Sequence, residues 1–285
     1  MINIFFLSFI FLSINEGFKI PFFNNLPQSI HTKHKSDILN TIYNINNIFL
    51  PYFNNNIDLV DMSLPKNINT SNLFLIFPGL NGIDYNINNL KNNVISSDNN
   101  FKFNRLSCIC NWNTNVNIFS VSKLGDYMGK KYSNQINKLT NNKKLNIHIV
   151  GISAGAFAAD YCTKYLKQFN KNHYIHLTLL DPFLLQNINP YYGKNNFGKY
   201  ADYCEQYLNT DDPVPFTNSE IKNAYVIDVT YSKLKKNFLL IKNKDENSHS
   251  WPIYYFVNYW DNLTNPHLYH PNHNINKRGT KIKLF

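Results

Sequence analysis

Three kinds of signal are missing from this chain. There is no dense basic block and no nucleic-acid motif, although 28 Lys and Arg against 18 Asp and Glu give a net charge of +10. The positive charge is spread along the chain. This argues against a nucleic-acid partner and leaves a generally cationic surface, with weak attraction to anionic lipid as its functional reading. The sequence also has no C-x-x-C pair and no tight histidine cluster, so neither a zinc site nor any other cofactor is expected. Finally, no stretch after residue 14 is apolar enough to span a bilayer.

What is present describes a packed globule. The chain has 285 residues, 44% of them hydrophobic and 15% aromatic, enough for one large domain with ample core. Residues 4–14 form an uncharged apolar run, too short for a spanning helix and of the right length for the centre of a signal peptide. The expectation is therefore a cleaved leader or an uncleaved membrane-associated apolar segment over residues 1–17, delivery to the secretory or endomembrane system, and a single domain over 18–285. The four cysteines (Cys108, Cys110, Cys162 and Cys204) fit one or two disulfides in such a setting. Cys108 and Cys110 are poorly placed to bond each other, and Cys162 reads as a small buried hydrophobe. Asn69 and Asn262 begin glycosylation sequons.

Short apolar runs alternate with helix-like segments from residue 72 onward. Strands are expected at 73–77, 106–112, 145–150, 176–180, 203–208 and 224–230. Leu124, Met128, Tyr132, Ile136 and Leu139 recur at three and four residues and make one face of a helix over 121–139. The pattern predicts an α/β fold: a mostly parallel central sheet flanked by helices.

The most informative residues are Gly151-Ile152-Ser153-Ala154-Gly155. They join an apolar strand to a small-residue helix expected to run through Phe169, which places the serine at the apex of a tight turn. G-x-S-x-G between strand and helix is the nucleophile elbow of α/β-hydrolases. A serine nucleophile needs a base to take its proton and a carboxylate to orient that base. Asp181 ends the strand after the elbow helix, 28 residues beyond Ser153, and is the favoured acid. Asp212, following the next strand, is the alternative. His249, in a loop before an apolar segment, is the preferred base among nine histidines. His148 reads as packed or surface-facing, His173 and His176 flank a strand start, and His267, His270 and His273 belong to a polar tail. The backbone N–H groups of Leu80 and Ala154 are the expected oxyanion donors.

These residues carry a family resemblance. Phe77-Pro78-Gly79-Leu80 looks like the strand and His-Gly turn that supply an oxyanion donor in pancreatic-type lipases, with proline for histidine. Cys110-Asn111-Trp112 is similar to their Asp-Trp strand end, with asparagine for aspartate. Residues 147–159 resemble their elbow, with Ile152 for histidine and Ala154 for leucine. Leu179-Leu180-Asp181-Pro182 resembles the Leu-Asp-Pro that holds their acid. Asp212-Pro213-Val214-Pro215 and His249-Ser250-Trp251 look like the acid and histidine motifs of class 3 lipases. Over roughly residues 72–260 the chain thus resembles the lipase superfamily of α/β-hydrolases. The resemblance implies that fold, an acyl-enzyme mechanism without cofactor, a lipid or other ester substrate, and contact with a membrane or lipid surface. Other acyl chemistry on thioesters or amides, acyl transfer, and a non-catalytic binding protein are the competing expectations.

Overall fold

The computed structural model describes residues 68, 70–80, 82–101, 105–112, 120–141, 143–186, 189–241, 248–258 and 278–285. The chain divides into two units, Met1–Val60 and Asp61–Phe285, and every described residue belongs to the second. The expected leader, the asparagines of both sequons and the polar histidine tail lie outside the described residues.

Seven parallel strands form one sheet: β1 (Asn72–Phe77), β2 (Arg105–Ile109), β3 (Asn146–Ile152), β4 (Tyr174–Leu180), β5 (Tyr203–Leu208), β6 (Tyr225–Asp228) and β7 (Lys281–Lys283). Their spatial order is β2-β1-β3-β4-β5-β6-β7. The helices are α1 (Tyr85–Phe101), α2 (Val121–Thr140), α3 (Gly155–Phe169), α4 (Tyr192–Asn196), α5 (Lys235–Ile241) and α6 (Trp251–Asn258). Central strands covered on both faces read as continuous apolar runs, because neither face meets water. Leu73 to Phe77 are all buried, as are Ile147, Ile149, Val150 and Ile152.

One face of the sheet packs against α1, α5 and α6. Ile87, Leu90 and Val94 of α1 join Phe238, Trp251 and Phe256 against Phe74, Ile76, Val150, Ile152, Leu180 and Tyr207. The other face carries the packed pair α2 and α3. The apolar stripe expected on α2 is the buried one, with Leu124, Met128, Tyr132 and Ile136 all inside. Each such side chain contributes about 1.5–3 kcal/mol through removal from water, so the stripe alone fixes the helix to its partner.

The strand order reverses direction beside β1. Its two neighbours are β2 and β3, and the connections leaving β1 and β3 at their carboxyl ends diverge. In open α/β sheets that divergence leaves a crevice, the usual place for a ligand. Ser153 follows β3 and the Pro78-Gly79-Leu80 turn follows β1, so both line this crevice.

The expected disulfides are not formed: all four cysteines are buried thiols, which agrees with the reading of Cys162 as a small buried hydrophobe and of Cys108 and Cys110 as not bonded to each other. Each packs as a small apolar side chain, and burial pushes every thiol up, Cys108 to about 11 and the others further. Such thiols stay protonated and unreactive.

Candidate active site

β3 ends at Ile152, and Ser153 adopts φ 49°. That left-handed conformation costs a non-glycine residue on the order of 1–3 kcal/mol, so surrounding bonds must hold it. The Ser153 N–H donates to Leu180 O at 3.0 Å, while its carbonyl accepts from Ala156 at 3.1 Å and from Phe183 at 3.0 Å. The flanking glycines are required sterically. A Cβ on Gly155 would lie 2.3 Å from Phe77 O, and one on Gly151 would lie 2.7 Å from Ala159 Cβ. Any side chain at either position would force helix away from strand. The hydroxyl of half-buried Ser153 makes no hydrogen bond to any described residue.

Across the crevice, Gly79 approaches Ser153 so closely that a Cβ there would lie 3.2 Å from Ser153 Cβ. Gly82 N–H closes the turn on Gly79 O at 3.0 Å, and the buried Trp112 indole donates to Pro78 O at 2.8 Å. Leu80 is the second residue of this turn, and Ala154 immediately precedes α3. Neither N–H has a partner among the described residues. The first N–H groups of a helix have no intrahelical acceptor, so Ala154 is a ready donor to an anion.

The carboxyl side of the site comes from the next two strands. Asp181 follows β4 with φ 45°, fixed by its N–H bond to Tyr207 O at 3.0 Å. Its carboxyl is 0% exposed and accepts the Asn209 N–H on Oδ1 at 3.3 Å. Asp212 follows β5 and turns back on itself. Its Oδ1 accepts the Val214 N–H at 3.0 Å and its Oδ2 accepts the Thr217 hydroxyl at 2.5 Å.

His249 lies in the single turn Ser248–Ser250 that leads into α6. Trp251, two residues on, is fully buried and donates to Val229 O at 2.8 Å, which anchors the turn over the sheet edge. His249 Nδ1 meets both acids: Asp212 Oδ2 at 2.6 Å and Asp181 Oδ2 at 3.1 Å. The sequence leaned to Asp181 with Asp212 as the alternative; the structure brings both to the same nitrogen, Asp212 the nearer. Ser153 stands at the same edge, because its N–H bonds the residue just before Asp181. Thr217, Asn209 and Lys235 also belong to this neighbourhood and went unnoticed in the sequence. Lys235 Nζ lies 2.9 Å from Asn209 Oδ1 and 3.8 Å from Asp211 Oδ2. Only the Asp-Pro turn around residue 212 pointed toward Thr217.

The three groups perturb one another. Burial pushes the Asp181 carboxyl well above its ordinary range; His249 pulls against this and Asp212 adds to it. Burial would raise Asp212 too, but hydrogen bonds from His249, Asp181 and Thr217 hold it at about 2. Burial alone would lower the His249 imidazole; bonds and charges from both acids outweigh that and raise it to about 9. Opposed shifts on neighbouring acids are what a site doing proton chemistry requires.

A second polar cluster lies on the same strands. His148 Nε2 is 2.8 Å from Thr178 Oγ1, which donates to Glu205 Oε1 at 2.8 Å, and His176 Nε2 is 3.2 Å from Glu205 Oε1. The sequence showed no histidine cluster because β3 and β4 bring these residues together only through pairing. The two imidazoles stack, with centroids 4.1 Å apart and planes 5° apart. Nitrogen lone pairs lie in their ring planes, so stacked rings cannot both aim at one ion. Burial first, then neighbouring His176, holds His148 well below its ordinary range. Gln186 and Tyr192, on either side of the undescribed residues 187–188, pack onto α3. Gln186 Nε2 bonds the Tyr161 hydroxyl at 3.1 Å, and Tyr192 stacks on Phe157.

No family model matches the chain, and no curated protein matches it either.

Proposed function

We propose that this chain is a serine hydrolase of carboxylic esters, of the lipase or esterase kind, acting through Ser153, His249 and Asp212. The observation that supports this best is a serine at a strained strand-to-helix turn, on the same sheet edge as an imidazole bound to two buried carboxyls. Uncommitted N–H groups at Leu80 and Ala154 supply the other element that ester cleavage needs.

In the first step Ser153 Oγ attacks the ester carbonyl carbon and its proton passes to His249 Nε2. Asp212 keeps Nδ1–H oriented and stabilises the imidazolium as it forms. The carbonyl oxygen gains the electron pair and lies against the Leu80 and Ala154 N–H groups. The tetrahedral species collapses, the alcohol leaves with the proton from Nε2, and an acyl-Ser153 ester remains. Water, deprotonated by His249, attacks this ester; the acid is released and Ser153 regains its proton. The lipase-like motifs of the sequence favour a lipid ester, and the cationic chain suits substrates presented at an anionic surface.

A fluorophosphonate probe tests the proposal. It should label the purified protein covalently and fail to label Ser153→Ala. Folded wild-type protein that takes up no probe and cleaves no ester, thioester or amide would favour a binding protein on a hydrolase-like scaffold.

A further inference from the structure

Resting on the hydrolase reading for its consequence, we propose that Asp181 is a positioning residue working as a neutral carboxylic acid. It shares one proton with Asp212, so that the pair presents a single negative charge to His249.

The geometry carries this. One ring N–H faces two carboxylate oxygens, at 2.6 and 3.1 Å, and can make only one strong bond. A carboxyl oxygen of each acid lies within 4.8 Å of one on the other, with Asp181 fully buried, a spacing at which one shared proton removes the repulsion between two charges. Their surroundings decide which acid holds it. Asp212 receives three donors: the Val214 N–H, the Thr217 hydroxyl and His249 Nδ1. That is a set suited to an anion. Asp181 receives the Asn209 N–H on Oδ1, leaving Oδ2 to carry the proton toward Asp212. The charged groups nearby are Lys235, which pulls on both acids from 2.9 Å beyond Asn209 Oδ1, and the exposed Asp211 beside it. Neither is hydrogen-bonded to the Asp181 carboxyl.

The arrangement answers a difficulty of the site. Two ionised carboxylates on Nδ1 would keep the imidazole cationic at neutral pH, with no room on Nε2 for the Ser153 proton. With one proton held between the acids, the ring faces one charge instead of two, which eases the loss of its proton before attack. During attack the Ser153 proton moves to Nε2, Nδ1–H stays with Asp212, and Asp181 keeps its own. No proton leaves the pair.

Two measurements test the proposal. Wild-type protein carrying carboxyl-13C aspartate should show by NMR a carboxyl that stays protonated from pH 5 to 8 and is absent in Asp181→Asn, apart from the Asp160 signal, which burial raises to about 7 and which titrates within that range. In kinetics, Asp181→Asn should lose at least about tenfold less kcat/KM than Asp212→Asn, because its amide N–H replaces the acid O–H as donor to Asp212. Asp181→Ala should lose roughly 10–100-fold, the worth of one hydrogen bond to a charged group. The acid limb of the pH profile should move by less than about 0.3 unit in Asp181→Asn. A downward shift of about one unit or more would mean that Asp181 carried a charge, and would overturn the proposal. So would a loss in Asp181→Asn as large as in Asp212→Asn. If the protein cleaves no ester at all, the hydrolase reading fails while the NMR signal still decides the shared proton. If Asp181→Asn does not fold, a wild type in which no carboxyl stays protonated from pH 5 to 8 refutes the proposal by itself.

Discussion

The strands β3, β4 and β5 each contribute to two histidine–carboxylate clusters, and the two differ in everything except residue type. His148, His176, Thr178 and Glu205 lie within regular strand, fully buried, with hydrogen bonds running among themselves. Ser153, Asp181 and Asp212 lie just past the strand ends, two of them with positive φ, beside a histidine that stays 17% exposed. The first cluster turns most of its polar groups on one another, with His176 Nδ1 left without a partner among the described residues, and lies wholly within the buried strands. The second leaves a hydroxyl and two N–H groups uncommitted beside a crevice. Chemistry is available where the backbone leaves the ladder and a group is left unpartnered, whatever the side chains are called.

The sharpest way to break this comparison is to remove the imidazole from each cluster. His249→Ala should lower kcat on a soluble ester by about 10⁶-fold, the loss seen when a triad base is deleted. His148→Phe, in contrast, should leave kcat within a few-fold, since its hydrogen bond and ring stacking run to Thr178 and His176 inside the sheet. Comparable losses in both variants would erase the distinction. Next in size is Asp212→Asn, expected to cost about 10⁴-fold through loss of the tautomer that points Nε2 at the serine. Leu80→Pro comes after it. Leu80 is the second residue of the Gly79–Gly82 turn, where proline fits, so the substitution deletes one N–H with little strain. A fall in kcat of about 10²–10³-fold with KM nearly unchanged is expected.

The same contrast explains what the sequence could and could not reveal. The strands are legible because sandwiched parallel strands are apolar throughout: the run at 203–208 matches β5, and the helix ending at Phe169 matches α3. The elbow is legible because its glycines answer to contacts as close as 2.3 Å that no other residue allows. Helix α1 is not, since its asparagine-rich face hides the buried spacing of Ile87, Leu90 and Val94 behind the Asp84 cap at 2.8 Å. Strand β7 escapes notice because three residues at an edge, two of them lysine, carry no apolar pattern. For the acid, the strand ends were legible but the distances were not. Sequence places Asp181 and Asp212 each after its own strand, and only the turn closed by Thr217 folds the second carboxyl back onto His249.

Stability should separate the clusters in the opposite sense from activity. The His249 imidazole is raised from 6.5 to about 9 in the folded state, so its contribution is fully present below pH 6.5 and is lost as pH climbs through about 9. Melting temperature should therefore fall over that window, less steeply in His249→Gln. Thr178→Val sets the smallest expected change in turnover against a clear one in stability. Its hydroxyl is the shared partner of His148 at 2.8 Å, His176 at 3.3 Å and Glu205 at 2.8 Å. A methyl in its place leaves His148 Nε2 and one Glu205 oxygen with fewer partners in a fully buried setting, at about 1–3 kcal/mol for each group stranded. Urea unfolding should show that loss while kcat on the same ester stays within twofold. A variant that unfolds as wild type but turns over slowly would place the stacked histidines in the reaction after all.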